Sequence, residues 1–139
     1  GSLDDKQLAQ YGIGTPEQRR AAERQLLRAN VSPGNFARLG RMALADGDLD
    51  GAIACYQQGA DLVVLGPYYE FLYRELLGLY CQRLAAGNRT AAQRDADRDA
   101  AAAALEQALA CGAGRDAVLA VPQVEQLREL PRFQMLLAR

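Results

Sequence analysis

Phe36-Ala37-Arg38-Leu39-Gly40-Arg41-Met42-Ala43-Leu44-Ala45-Asp46-Gly47-Asp48-Leu49-Asp50-Gly51-Ala52-Ile53-Ala54-Cys55-Tyr56-Gln57-Gln58-Gly59 reads as two helices folded back on each other. Phe36 and Leu39 sit one turn apart, and Gly40 removes the side chain where a second helix must approach. Gly47 stops the first helix and Asp48 caps the next. Ala52 and Tyr56 then share one face of the second helix, with Gly59 again small at the contact.

Outward from this pair, the chain continues as helix signals separated by caps and glycines. Thr15-Pro16-Glu17-Gln18 is a capping box with proline in the first turn, which predicts a helix to about Asn30. Ala22, Leu26, Leu27 and Ala29 are available to pack it. Ser32-Pro33 repeats the logic and opens a helix through Ala45; Asp48 opens one ending near Gly59. Leu62-Val63-Val64-Leu65 is the only β-leaning run. It has no second candidate strand to pair with and reads as a buried connector. Pro67 begins a helix to about Ala86, with Tyr69, Leu72, Tyr73, Leu76, Tyr80 and Leu84 as one apolar stripe. Gly87-Asn88 ends it, and Thr90 caps a helix to about Ala110. Gly112 and Gly114 close that helix. From Val118 onward two short helices are expected, punctuated by Pro122 and Pro131, with Phe133, Leu136 and Leu137 on one face as a lid. Residues 1–14 carry no clear period and read as a loose lead-in, with Gly1-Ser2 resembling a cloning remnant. Residues 15–139 form one domain.

Composition narrows the function classes. Half of the residues are hydrophobic (50%) while aromatics are few at 6%, a helical composition. The net charge of −1 offers no field for nucleic acid or an anionic membrane. No apolar run approaches the roughly 20 residues a membrane-spanning helix needs. The sequence contains no histidine, which excludes Ser-His-Asp, Cys-His and His-metal sites within the chain. Lys6 is the only lysine, and Ser2 and Ser32 are the only serines. Neither a catalytic residue nor a metal or cofactor site is therefore expected, and the chain reads as a non-enzyme. Cys55, Cys81 and Cys111 lack any CxxC spacing and read as small buried hydrophobes, with one disulfide plus a free thiol as the alternative. Free thiols point to a reducing, cytoplasmic setting. Gly12-Ile13-Gly14 lacks the third glycine of a dinucleotide loop, and Asp46-Gly47-Asp48-Leu49-Asp50 lacks most of a calcium loop's ligands.

The Phe36–Gly59 pattern resembles a tetratricopeptide repeat, a helix-turn-helix unit of about 34 residues that stacks into solenoids. Ala43 stands where the family commonly carries an aromatic. A second, degenerate unit begins at Tyr73, Leu76 and Tyr80, with Leu77 where glycine is expected. The alternative register on Leu77-Gly78 would place Arg74 at a buried position, which costs more than a displaced glycine. Its return helix, with Leu105 and Ala108 matching Tyr56 and Gly59, comes late, after an insertion around Asn88 to Asp99. The mixed-charge run Arg94-Asp95-Ala96-Asp97-Arg98-Asp99 within it reads as a solvated helix extension. A Sel1-like repeat of the same superfamily is also compatible with Leu39-Gly40 and Gln58-Gly59-Ala60. The proline-led ending in Phe-x-x-Leu-Leu is similar to what often follows bacterial arrays.

The resemblance implies an all-α fold: a short right-handed α-solenoid of antiparallel helix hairpins with a C-terminal capping helix. It also implies a non-catalytic module binding a protein or peptide partner in the concave groove. First-helix residues facing away from the core are the candidates: Ala37, Arg41, Leu44 and Ala45, then Phe71, Arg74, Glu75, Gly78 and Gln82. Arg41 and Arg74 are placed to fork onto a partner carboxylate. The Lys/Asn/Arg clamp that part of the family uses for C-terminal carboxylates has no lysine or asparagine here. Tyr68 and Phe71 leave the stripe and suggest an exposed sticky patch. Two other readings stay open: a self-assembling homo-oligomer joined through the lid or that patch, and an accessory domain of a larger enzyme or secretion apparatus.

Overall fold

The computed structural model describes residues 14–63 and 66–138, and among these every regular element is helical. The helices are α1 (Pro16–Ala29), α2 (Pro33–Ala45), α3 (Leu49–Asp61), α4 (Glu70–Ala85), α5 (Ala91–Ala110), α6 (Arg115–Leu119) and α7 (Pro131–Ala138), with 3₁₀ turns at Pro67–Tyr69 and Val124–Leu127. The expected lead-in, apart from Gly14, lies outside the described residues, as do Val64 and Leu65 of the apolar connector.

The helix starts follow from their caps. Thr15 Oγ1 accepts from the Gln18 N–H at 3.1 Å while the Thr15 N–H donates to Gln18 Oε1 at 2.9 Å. Thr90 and Gln93 form the same reciprocal pair at the start of α5. Ser32 caps α2 and Asp48 caps α3, the latter accepting from the Gly51 N–H at 2.9 Å. Each such cap contributes about 1 kcal/mol. Between α2 and α3 the chain reverses at Gly47, whose φ of 80° is a left-handed conformation that glycine adopts without strain. Two boundaries differ from expectation. α3 runs past Gly59 to Asp61, and α4 starts at Glu70, after the 3₁₀ turn that Pro67 opens. Of the connector, Val63 packs half-buried on the core while Leu62 is exposed.

α2 and α3 run antiparallel: Gly59 meets Phe36 and Pro33 at one end, and Gly40 meets Ala52 and Tyr56 nearer the turn. A Cβ on Gly40 would lie 2.5 Å from Tyr56 Cδ2 and 3.1 Å from the Ala52 carbonyl oxygen. The glycine thus allows the close approach its spacing predicts. α4 packs most extensively on α5, then on α3, and also takes the Val124–Leu127 turn, while α7 lies on α5. That position changes the reading of α4. Leu77, Leu79 and Cys81 are buried along with Leu72, Tyr73, Leu76, Tyr80 and Leu84. A helix covered on several sides is apolar over a broader arc than one stripe, and α4 keeps a polar face at Glu70, Arg74, Glu75 and Gln82. α5 answers with small residues, burying Ala101, Ala102, Ala104 and Ala108 around Leu105.

The mixed-charge run is also not uniformly solvated. Asp97 is 2% exposed, the only buried charged residue among those described. Arg83 from α4 reaches it at 2.6 and 3.3 Å, and Arg89 from the α4–α5 loop at 3.1 and 3.2 Å. A third Arg83 nitrogen bonds Asp50 on α3 at 2.9 Å. Burial alone works against the Arg83 charge, but the hydrogen bonds to Asp97 and Asp50 overcome it and hold the guanidinium above its ordinary pKa. The extra length after Asn88 thus ties α5 to α4, while Arg83 separately ties α4 to α3.

All three cysteines are free; Cys81 and Cys111 are buried and Cys55 is half-buried. Burial pushes the Cys81 thiol up to about 12, which makes it a small inert hydrophobe at neutral pH.

Candidate functional site

A largely apolar concavity lies where α2 and α4 face the C-terminal segment. It is a groove of 420 Å³ lined by Arg41 and Leu44 of α2, Tyr56 of α3, and Arg74, Glu75, Gly78, Leu79 and Gln82 of α4. Ala117, Ala120, Val121, Pro122 and Gln123 form the opposite wall. Helical spacing explains the α4 contribution: residues 74, 75, 78 and 82 recur at steps of three and four and so share a face. Gly78 keeps that face low, and a Cβ there would just touch Val121 Cγ1 at 3.4 Å.

Of the residues singled out in the sequence, Arg41, Leu44, Arg74, Glu75, Gly78 and Gln82 come together in this groove. Ala45 is exposed near the end of α2 and stays outside it. Phe71 is half-buried against the core, 5.8 Å beneath the Arg41 guanidinium. It supports the rim and is not a free surface. Tyr68 is 84% exposed, so the expected aromatic pair separates into one buried and one exposed ring. Ala37 is fully buried, because it faces the antiparallel partner and not the concavity.

The charges of the rim are already paired. Arg41 forks onto Glu75 through Nη2 at 2.9 and 3.1 Å and Nε at 3.3 Å. That hydrogen bonding is the main reason its pKa lies above the ordinary value. Arg74 forks onto Glu70 one turn earlier, at 2.6 and 3.1 Å. Both arginines do grip carboxylates, as their type suggests, but the carboxylates belong to this chain. Each pair is partly exposed and contributes less than about 1 kcal/mol. Together they leave the groove electrically balanced.

Beneath the Arg41–Glu75 pair, Tyr56 forms the floor, with its phenol pushed up to about 12 by burial, then by the Glu75 charge, against the opposing pull of Arg41. Gln123, on the far wall, holds a φ of 63°, the one left-handed non-glycine among the described residues. Such a conformation costs a non-glycine residue about 1 kcal/mol and clusters at functional turns. Sequence reasoning missed both Tyr56 and the entire C-terminal wall. Tyr56 fitted a core position, and Ala117–Gln123 reads as tail until Val121 is seen against Gly78 of α4.

No protein-family model, curated protein or solved structure matches this chain. Among the described residues, no helix is long and apolar enough to cross a membrane.

Proposed function

We propose that this chain is a tetratricopeptide-like adaptor, a short right-handed stack of antiparallel hairpins that binds a protein or peptide partner without catalysing a reaction. The groove between α2, α4 and the Ala117–Gln123 wall takes the partner. The observation that carries this reading is the convergence of Arg41, Leu44, Arg74, Glu75, Gly78 and Gln82 on one concave surface. Leu44, Leu79, Val121, Pro122 and two alanines make that surface largely apolar. Because Arg41–Glu75 and Arg74–Glu70 neutralise the rim, the favoured partner is an uncharged apolar segment. An acidic tail would first have to displace an existing carboxylate. Gln82 and Gln123 remain to hydrogen-bond the partner backbone. A reducing cytoplasm suits three free thiols.

Panning a random-peptide phage library on the purified protein tests the assignment. Selected peptides should be apolar, bind with little salt dependence, and weaken at least tenfold on Ala120→Trp, which fills the groove from an exposed position. Met135→Trp, at an exposed site on α7, should leave them unchanged. Failure to enrich any peptide, or binding indifferent to Ala120→Trp, overturns the groove as the site.

A further inference from the structure

α1 is attached differently from the rest of the fold. Of its fourteen residues only Ala22 is buried, with Leu26 and Leu27 half-buried, whereas α4 buries eight side chains. It packs chiefly on α2. Its fastenings there are polar. Arg20 donates to the Met42 carbonyl oxygen at 2.9 Å and pairs with Asp46 at 2.8 Å. Arg24 takes the other Asp46 oxygen, and Glu23 pairs with Arg38 of α2. Behind these ties α1 does not close down: a cavity of 430 Å³ remains between Arg24 and Arg28 on one side and Leu39, Ala43, Asp46 and Cys55 on the other. The helix also carries its own start, through the Thr15–Gln18 capping box, and so holds its N-terminal turn without α2.

We propose that α1 is an electrostatically held strap, which opens off α2 while the rest of the fold stays closed and bares the Leu39–Ala43 face and the Cys55 thiol. Local opening is expected where apolar burial is slight and the ties are exposed ion pairs. Such ties weaken with salt, since the screening length falls from about 10 Å at 0.1 M to about 3 Å at 1 M. Asp46 is the hub, and its position sharpens the test. It caps the C-terminal end of α2, where a negative charge opposes the helix dipole. Asp46→Ala should therefore loosen α1 without loosening α2.

The experiment is amide hydrogen exchange on the full chain, read by peptide mass spectrometry, with iodoacetamide labelling of the three cysteines in parallel. On going from wild type to Asp46→Ala, or from 0.05 to 1 M NaCl, residues 17–29 should exchange about five- to tenfold faster. Cys55 should label several-fold faster, while α2–α5 amides and Cys81 and Cys111 keep their protection. Unchanged α1 exchange under both perturbations overturns the strap. So does uniform acceleration of α1–α5 together with all three thiols, which would mean that α1 opens only when the whole domain unfolds. Arg132→Ala, which removes an exposed pair with Glu106 far from α1, should leave α1 exchange unchanged; equal acceleration there also overturns it.

Discussion

At the scale of single residues, Tyr56 and Gln123 show how groove positions depart from ordinary core and turn positions. Tyr56 is neutral when protonated, and the folded state holds that proton more tightly than the unfolded chain, moving the pKa from 10.0 to about 12. Its share of stability is complete below pH 10 and fades as pH rises toward 12, by roughly 2 kcal/mol at most. Urea midpoints should show Tyr56→Phe less stable than wild type by about 1 kcal/mol at pH 7. That gap should close or reverse at pH 11.5, and a gap constant with pH would contradict the burial of the phenol. Gln123→Gly should relieve the left-handed backbone and raise stability by roughly 0.5–1 kcal/mol, read in the same titrations. The opposite sign would mean that the Gln123 side chain holds the wall in place. Neither residue announces itself in the sequence. A tyrosine on an apolar stripe and a glutamine after proline both have ordinary readings, and only the surrounding elements give them a concave side to face.

At the scale of elements, legibility tracks how local the determining force is. Caps and turns act within one turn of helix, so Thr15, Ser32, Asp48, Gly47 and Thr90 all place boundaries correctly from the sequence. The α2–α3 contact is legible too, because two glycines at fixed spacings mark a close approach. Gly40→Ala should cost about 1–3 kcal/mol, since its Cβ would press into the Tyr56 ring against a fixed Ala52 backbone. Gly34→Ala is the control: it is an exposed helical position with open space around it, and it should be neutral or stabilising. Thermal melting of both variants checks the contrast, and equal effects would deny the close approach. α4 was less legible. Its apolar residues fit one stripe, but Leu77, Leu79 and Cys81 lie off that stripe and are buried because α3, α5 and the Val124–Leu127 turn surround the helix. Ala37 likewise turned out to be core, because it faces the antiparallel partner, and Phe71 a support for Arg41.

At the scale of the whole molecule, Asp97 anchors a charge network that ties α5 to α4 and, through Arg83, reaches α3. Its carboxylate is buried between Arg83 and Arg89, and Arg83 continues to Asp50 on α3. Removing a buried partner leaves the opposite charges uncompensated, so Asp97→Ala should cost about 3–5 kcal/mol. Asp50 is 77% exposed, and Asp50→Ala should cost less than about 1 kcal/mol. Chemical denaturation of both variants separates a buried network from a decorative surface pair. Comparable losses would show that the exposed arm carries as much as the buried one.

The sequence by itself determined the helical class, the positions of most helix ends and the α2–α3 close approach. It also indicated the α2 and α4 residues Arg41, Leu44, Arg74, Glu75, Gly78 and Gln82 that meet in the groove. These depend on neighbours within a few positions, or on two glycines whose spacing has one ready packing explanation. Tertiary structure alone decided that Arg41 and Arg74 spend their forks on Glu75 and Glu70, and that Asp97 is buried. It alone folded Ala117–Gln123 back to complete the groove. Charge pairing across helices and the return of a tail depend on distances between residues far apart in the chain. Residue type and local period carry no such distances.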